Sequence, residues 1–340
     1  MYLANIYKPA MKKYILVFLF VISNLVSYTQ VLRGTVYDDK TKSTIPFASV
    51  YFNGTYSGTT SNKEGYFELD RSNYPSMPVT ISAIGYYSIT LSNVLNQELR
   101  QIYLKPKEYE LKGTLVKSKS LVSKRKRYLA LFKDEFLGIT NNARECSILN
   151  EKDITFNYDS NIDTLKAFAL KPIIIENRSL GYTITYYLDK FEYYRMKEAV
   201  FFSGSIFFRE HKSTVEMQKQ FLEKRKNAYL GSKMHFFRTL LNKNLKAQGF
   251  TILDPDYKNL KVEDIVVRDS ANNNYLYYPS RFNIWNKNRP SNIRFLKKYV
   301  YFDKTGYFDP SGILWAGYMG EERIADWLPY EYSTEQQTFR

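Results

Sequence analysis

The densest group of chemically capable side chains lies in the segment YLGSKMHFFR, which contains Tyr229, Ser232, His235 and Arg238. Ser232, His235 and Arg238 follow at intervals of three residues, so they share one side of a predicted helix that Ser232 begins. Backbone N–H groups at a helix N-terminus can hold an anion together with a guanidinium. We therefore take these four residues as a candidate binding site. In the structural alternative, Ser232 caps the helix, His235 packs in a core and Arg238 pairs with an acid.

Patterns that would mark a catalytic or metal centre are missing from the sequence. The two histidines, His211 and His235, both lack a glutamate at the spacing that a zinc peptidase requires. Ser232 lacks the glycines of a nucleophile elbow. Cys146, the single cysteine, has no histidine or acid pattern beside it, which favours a buried and inert thiol. We therefore expect no catalytic residue, no metal site and no cofactor.

Carboxylates are the remaining route to catalysis, because two facing acids suffice to hydrolyse a glycosidic bond. The segment DKTGYFDPSG (303–312) lacks the acid spacing of a calcium loop and predicts a turn instead. The neighbouring acids that could form a catalytic pair are Asp134 with Glu135, Asp189 with Glu192, and Glu321 with Glu322. A hydrolase that uses such a pair on glycan or peptide is therefore kept as the alternative function.

The elements that position these side chains follow from composition and pattern. The chain has 340 residues, which favours two domains, and its 31 tyrosines and 23 phenylalanines favour sheets with aromatic faces. The formal net charge is +15, which favours acidic partners such as nucleic acid, anionic lipid or acidic glycan. The compartment of the protein decides among these partners.

The N-terminal segment MKKYILVFLFVISNLVSYTQ has the charged, apolar and small-residue parts of a secretory signal peptide. We predict that residues 1–29 are a signal peptide, with Met11 as the alternative start and with cleavage near Gln30. The apolar run is shorter than a spanning helix needs, and no cysteine stands directly after it, at the predicted cleavage position. We therefore expect an exported protein of the periplasm or cell surface, with neither a lipid anchor nor a transmembrane helix after cleavage.

Export changes the meaning of the charge. Removal of the three lysines in residues 1–29 leaves a mature chain with a net charge of 15 − 3 = +12. Nucleic acid is an unsuitable partner outside the cytoplasm, so the charge favours contact with an anionic membrane surface. Simple solubility is the plainer explanation.

Residues 30–116 show short alternating strands with turns at intervals of about 8–12 residues. This pattern predicts an antiparallel β-sandwich of the transthyretin or immunoglobulin type. SGTTSNKEGYFEL predicts a hairpin whose turn runs from Asn62 to Gly65. VTISAIGYYSITL predicts one longer strand that is interrupted at Gly85, where glycine indicates a bulge or a close approach of another backbone segment.

Four segments of this region resemble the carboxypeptidase regulatory-like module. They are GTVYD (34–38), IPFASVYFNGT (45–55), GTTSNKEGYFEL (58–69) and ISAIGYYS (81–88). The resemblance implies a transthyretin-like sandwich. That module accompanies some metallocarboxypeptidases and, in Gram-negative bacteria, outer-membrane receptors and many uncharacterised exported proteins. The module itself carries no catalytic residues, so the resemblance implies no peptidase activity.

Beyond the sandwich, the basic run KSKSLVSKRKR (117–127) predicts a solvated linker. Residues 128–340 predict an α+β domain. RYLALFKDEFLG predicts a helix that ends at Gly138, and the alternating segments over 153–210 predict a mostly antiparallel sheet with tyrosine-rich faces. EFLGIT, LGYTITYYL, AYLGSKMHFFR and ADWLPYEY resemble the uncharacterised region that follows this module in other exported envelope proteins, and that resemblance implies no activity.

Two more helices are predicted in this domain, over 215–229 and 233–248, the second ending before Gly249. The sequence therefore predicts an α+β protein overall, with a sandwich in front of an α+β domain. We expect it to be a non-catalytic envelope protein that binds a glycan, a peptide or another envelope protein through the second domain. Clustered tyrosines can stack on sugar rings or form the centre of an interface.

Overall fold

A computed structural model describes residues 31–74, 77–91, 101–107 and 119–335, so the predicted signal peptide lies outside the described residues. The described strands of the first region are β1 (Val31–Asp38), β2 (Ser49–Phe52), β3 (Gly58–Thr60), β4 (Tyr66–Asp70), β5 (Val79–Ser82), β6 (Ile89–Leu91) and β7 (Gln101–Leu104). They form two sheets with the strand orders β4-β1-β7 and β3-β2-β5-β6. The predicted sandwich is confirmed, although β1 and β7 pair in parallel.

The sandwich core follows from the alternation of apolar and polar residues. In β4, Phe67 and Leu69 are buried, while the residues on either side of each are exposed. Strands β2 and β5 bury Val50 and Ile81, which lie opposite each other in the other sheet. The inward residues of both sheets form one hydrophobic cluster. Its burial supplies the main driving force for folding of this region.

The predicted hairpin around residues 62–65 is wrong, because its two strands belong to different sheets. Strand β3 pairs with β2, and β4 pairs with β1. The turn itself is present: the side-chain oxygen of Asn62 accepts hydrogen bonds from the N–H groups of Glu64 and Tyr66, and Gly65 has a φ of 78°. A turn of this kind reverses the chain but does not decide which strand is the partner. Here it carries the chain from one sheet to the other.

The predicted long strand around Gly85 is also wrong, because the structure has two strands there. Strands β5 and β6 pair antiparallel and are joined by a tight connection over residues 83–88. Gly85 lies in this connection with a φ of 85°, which glycine adopts without a steric cost. Its N–H group donates to the carbonyl oxygen of Leu170 at 3.1 Å, so the connection contacts the next region.

The second region begins with helix α1 (Lys119–Leu137), which starts inside the segment predicted as a linker. Residues 119–127 are therefore helical, as lysine and arginine readily are. Phe132 and Phe136 are fully buried on one face of the helix. Gly138 follows with a φ of 100°, as predicted for the end of this helix.

A six-stranded sheet follows α1, as the alternating segments predict. The elements are the short helix α2 (Asn141–Arg144), β8 (Cys146–Ile148), β9 (Ile154–Asp159), β10 (Thr164–Ala169), β11 (Ile173–Asn177), β12 (Tyr182–Tyr194) and β13 (Ala199–Glu210). The strand order is β8-β11-β12-β10-β9, and β13 pairs along the length of β12 on its other side. All described pairs of this sheet are antiparallel.

The remainder combines helices with two smaller sheets. Its helices are α3 (Val215–Tyr229), α4 (Lys233–Leu241) and α5 (Val262–Ile265). Its strands are β14 (Phe250–Leu253), β15 (Val266–Arg268), β16 (Asn274–Leu276), β17 (Arg281–Asn286), β18 (Arg289–Phe295), β19 (Val300–Phe302) and β20 (Ile313–Gly317). The sheet orders are β14-β17-β18-β20 and β15-β16-β19. The described 3₁₀-helices of the chain are Glu151–Asp153, Arg195–Lys197, Pro310–Gly312, Tyr318–Glu321 and Ile324–Asp326.

Helix α3 has the predicted bounds, but α4 is shorter than predicted and ends at Leu241 instead of Gln248. Lys243 has a φ of 51°, which an α-helix cannot contain. Leu245 nevertheless packs against the adjacent core, so the apolar spacing that suggested a longer helix reflects burial in a turn. Gly249 also has a positive φ, but it closes that turn and not the helix.

The predicted α+β domain contains two hydrophobic clusters. One lies between α1 and the six-stranded sheet and includes Phe132, Tyr186 and Ile324. The other lies among α4 and the two smaller sheets and includes Phe237, Ile284 and Phe302. In the part of the chain that the structure describes, every helix is too short or too polar to cross a bilayer.

Candidate functional site

The first candidate residues lie at the start of α4, where Ser232 and His235 have intramolecular partners. Ser232 is the N-cap, and its side-chain oxygen accepts from the N–H group of His235 at 3.1 Å. The Nδ1 atom of His235 accepts from the N–H group of Gly231 at 3.0 Å, so its Nε2 atom donates to the side-chain oxygen of Gln248 at 3.1 Å. Burial lowers the pKa of His235, which keeps the imidazole neutral. Tyr229 packs against its ring at 4.7 Å between ring centroids.

Arg238 donates hydrogen bonds to backbone carbonyl oxygens, and it forms no ion pair with an acid among the described residues. Its guanidinium donates to the carbonyl oxygens of Thr305 at 2.9 Å, Tyr330 at 3.0 Å and Tyr332 at 2.7 Å. The structure therefore brings the four predicted residues together and gives them structural partners. An anion site there stays a prediction, and an anion would have to replace bonds that the protein already makes.

The predicted acid pairs lie away from both described surface pockets. Burial raises the pKa of Glu135, which lies 3.9 Å from the guanidinium of Arg323. Burial also raises the pKa of Asp189, which lies near Lys107. For Glu192, burial alone would raise the pKa. Hydrogen bonds from Tyr194 and Lys190 outweigh this effect, so the pKa of Glu192 is lowered. Glu135 and Glu192 therefore have partners within the protein.

An aromatic surface on the sheet β15-β16-β19 was not singled out from the sequence. The strands point Leu276, Val300 and Phe302 into the core. The opposite side of the sheet, which we call the tyrosine face, carries Tyr275, Tyr277, Tyr299, Tyr301 and the adjacent Tyr307. Ring centroids lie 5.2 Å apart for Tyr277 and Tyr299 and 6.0 Å apart for Tyr275 and Tyr301. The face is thus a continuous group of rings that reaches solvent.

A shallow pocket of about 450 Å³ opens on the tyrosine face. Its lining residues are Val267, Arg268, Asp269, Tyr275 and Tyr299. The side-chain Nε atom of Arg268 donates to Asn274 at 3.0 Å. Asp269 accepts from the hydroxyl of Tyr275 at 3.1 Å and from two N–H groups of its own turn, at Ala271 and Asn273. These bonds fix the charged groups beside the rings.

The polar groups of this pocket suit binding. The side chain of Asn273 is the main cause that lowers the pKa of Asp269, so this carboxylate is ionised at neutral pH. It is the one acid among the lining residues, and an acid–base pair needs two. Open aromatic pockets with a few fixed polar groups bind ligands by stacking and orient them by hydrogen bonds. The signal for this site was the pair of segments YLYY and YVYF, in which tyrosines alternate with buried residues.

Comparison with known proteins identifies the first region. Residues 32–116 match the family model described as CarboxypepD_reg-like domain. The chain contains a carboxypeptidase regulatory-like domain. The match stops before α1, so the six-stranded sheet and the tyrosine face lie beyond it. No curated protein matches the chain.

The carboxypeptidase regulatory-like domain is joined to β13 by direct hydrogen bonds. The hydroxyl of Tyr51 donates to the side chain of Ser205 at 2.7 Å. The N–H group of Ile206 donates to the side chain of Asn53 at 2.8 Å, and the carbonyl oxygen of Ile206 accepts from Gly54 at 2.8 Å. The domain therefore extends the edge of the six-stranded sheet.

Neither histidine has the surroundings of a zinc ligand. His211 contacts the hydroxyl of Thr183 at 2.9 Å, and no group of three potential metal-ligating side chains converges among the described residues. The thiol of Cys146 donates to the carbonyl oxygen of Asn142, and burial raises its pKa to about 12. This thiol is therefore protonated at neutral pH and is a poor nucleophile.

Replacing Glu322 with glutamine is expected to reduce the pH dependence of stability. Burial raises the pKa of Glu322 to about 7, although the positive charge of Lys233 opposes this rise. The backbone N–H group of Lys233 donates to the Oε1 atom of Glu322 at 2.9 Å. The folded protein thus keeps a proton that the unfolded chain loses above about pH 4.5. The free energy of unfolding should therefore fall by about 2–3 kcal/mol as the pH rises from about 4.5 to 7. Urea unfolding across this window measures the change.

Glu321 supplies the matched control, because it precedes Glu322 and is exposed. Glu321→Gln should retain the pH dependence of the natural protein, and Glu322→Gln should reduce it by the contribution of Glu322. Equal curves for the two variants would show that Glu322 titrates normally.

Proposed function

We propose that this protein is a non-catalytic, exported envelope protein that binds a saccharide through the tyrosine face. The observation that carries this proposal is the group of solvent-reaching rings around the pocket of about 450 Å³. Tyr299 is 47% exposed, so its ring can accept a ligand without a rearrangement of the fold. The apolar face of a sugar ring stacks on such a ring, and Arg268 and Asp269 can bind its hydroxyl groups.

The tyrosine face is better suited to binding a saccharide than to hydrolysing one. The pocket offers a single carboxylate, which its own turn holds in place. An enzyme would need a second acid or a nucleophile beside the same ligand. The rings and the two charged groups meet the needs of recognition alone, so the hydrolase is the weaker alternative.

The carboxypeptidase regulatory-like domain serves in this proposal as an accessory module that is fixed to the rest of the chain. Export rests on the sequence pattern of residues 1–29. Contact with an anionic membrane surface also stays a prediction. Lys124, Lys126 and Arg127 on α1 are exposed and carry the charge that such contact requires.

Alanine at Tyr275 and at Tyr299 is expected to weaken saccharide binding about tenfold for each ring. Loss of one stacking ring costs about 1–2 kcal/mol of binding free energy, and 1.4 kcal/mol is about tenfold in Kd. A panel of neutral oligosaccharides on an array would identify a ligand for the natural protein. Isothermal titration calorimetry would then compare the variants.

Tyr66→Ala is the control, because Tyr66 is a comparably exposed ring (39%) on the sandwich, away from the pocket. Unchanged binding by Tyr275→Ala and Tyr299→Ala would contradict the proposal. If the tyrosine face binds a peptide and no glycan, its function is protein recognition.

A further inference from the structure

The sheet β14-β17-β18-β20 turns one face to the core and the other face to solvent. Phe282, Ile284 and Ile293 point into the core from its two central strands. The solvent side of these strands carries three cross-strand pairs, which we call the arginine–tryptophan face. The pairs are Arg281 with Arg294, Asn283 with Asn292, and Trp285 with Pro290.

Arg281 and Arg294 carry like charges directly opposite each other, which destabilises a strand pair. Both side chains are exposed, and no described residue forms an ion pair or a hydrogen bond with either guanidinium. The third residue of this row is Leu314, which lies opposite Arg294 and has no charge. Two facing guanidiniums without an acid are suited to an external carboxylate or phosphate, which each can bind through paired N–H groups.

The other two pairs provide stacking and hydrogen bonding. A shallow pocket of about 260 Å³ lies over Trp285, Asn283 and Asn292. The indole of Trp285 is 37% exposed. The amide of Asn292 has no hydrogen bond with a described residue, whereas the amide of Asn283 makes one long bond, of 3.4 Å, to a carbonyl oxygen. Both amides can therefore serve a ligand that has hydroxyl groups.

Two acids lie close in sequence to a residue of this pocket, and neither forms an ion pair with Arg281 or Arg294. Asp254 and Asp256 lie in the turn after β14, beside the pocket residue Tyr257. The Oδ1 atom of Asp254 accepts from the N–H groups of Asp256 and Lys258 at 2.9 and 2.8 Å, so this carboxylate caps its own turn. The face therefore keeps a positive end and an aromatic end.

We propose that the arginine–tryptophan face binds an acidic oligosaccharide. Its carboxylate or phosphate lies between Arg281 and Arg294, its hydroxyl groups bond to the asparagine pair, and a sugar ring stacks on Trp285. The arginine and tryptophan pairs are four residues apart along β17, a span of roughly 13–14 Å. This span exceeds one sugar ring, which is why the ligand is an oligosaccharide. The site is separate from the tyrosine face and does not depend on the function proposed for it.

Isothermal titration calorimetry with trigalacturonic acid and with uncharged galactotriose tests this proposal on the full chain. The natural protein should bind the acidic trisaccharide and bind the neutral one at least tenfold more weakly. The double variant Arg281→Gln/Arg294→Gln should lose at least tenfold in affinity for the acid and should flatten the salt dependence of binding. Trp285→Ala should lose about tenfold for the same ligand.

Two controls separate this site from the rest of the surface. Arg178→Gln removes an exposed arginine of another region, and Tyr299→Ala removes a ring of the tyrosine face; both should leave the affinity unchanged. Thermal unfolding checks the fold of each variant. Loss of the unfavourable pair means that the double arginine variant should be at least as stable as the natural protein.

Three results would overturn the proposal. The natural protein does not bind trigalacturonic acid, the Tyr299→Ala variant binds both trisaccharides equally, or the double arginine variant retains full affinity. Loss of the acidic ligand in Tyr299→Ala would place it on the tyrosine face instead, and would also refute a second site. If no neutral oligosaccharide binds, the function proposed for the tyrosine face is contradicted, and the proposal for the arginine–tryptophan face is unaffected.

Discussion

Replacing Arg238 with alanine is expected to lower the free energy of unfolding by about 3–5 kcal/mol. The guanidinium donates to the carbonyl oxygens of Thr305, Tyr330 and Tyr332, which belong to two separate segments. A hydrogen bond to a charged group contributes about 1.5–3 kcal/mol, and the three losses will not add fully because they share one side chain. Urea unfolding followed by tryptophan fluorescence measures the change.

Two further variants make this result specific. Arg178→Ala removes an arginine that is mostly exposed and pairs with Glu176, so it should cost less than about 1 kcal/mol. Arg238→Lys keeps the charge but loses the planar arrangement of donors, and it should lie between the other two. If Arg238→Ala is as stable as the natural protein but no longer binds an anion, the candidate binding site regains its first interpretation.

Much of the element order could be predicted, because it depends on local pattern. The bounds of α3 follow from its helical spacing, and the strands over 153–210 follow from alternation. Gly138 ends α1 because the αL conformation after a helix favours glycine. In each case the signal lies within a few residues of the feature that it predicts.

Strand partners could not be predicted in the same way, because pairing joins distant segments. The sequence around Asn62 is typical of a hairpin turn, yet β4 pairs with β1 in the other sheet. The end of α4 was missed because Leu245 keeps the helical spacing while the backbone at Lys243 turns away. The division of the second region into two cores depends on contacts between residues far apart in the chain.

The candidate sites show the same limit. The excess of tyrosine predicted aromatic sheets, but the sequence does not say that Tyr275 and Tyr301 lie side by side on adjacent strands. The pairing of Arg281 with Arg294 depends on the register of β17 and β18, and a shift by one residue would separate them. Polar residues with regular helical spacing were instead assigned to binding, and Ser232 and His235 prove to have structural contacts.

Alanine at Gly54 and alanine at Tyr330 are each expected to destabilise the protein, and the two costs should not add. Gly54 has a φ of 77°, and a Cβ atom there would lie 2.5 Å from the ring of Tyr330. Gly54→Ala should therefore cost about 1–2 kcal/mol for the backbone and more for the clash. Tyr330→Ala should cost about 3–5 kcal/mol, because its ring packs against the sandwich core.

The double variant decides whether this contact joins the carboxypeptidase regulatory-like domain to the C-terminal segment. In Tyr330→Ala the ring is gone, so the added Gly54→Ala should cost only the backbone strain. The coupling energy between the two sites should therefore be about 1–3 kcal/mol. Additive costs would mean that the ring of Tyr330 leaves room for a methyl group at Gly54. Costs that do not add would show that the ring of Tyr330 requires glycine at position 54. Because Tyr330 follows Gly54 by more than half of the chain, the turn pattern around Gly54 could not reveal this requirement.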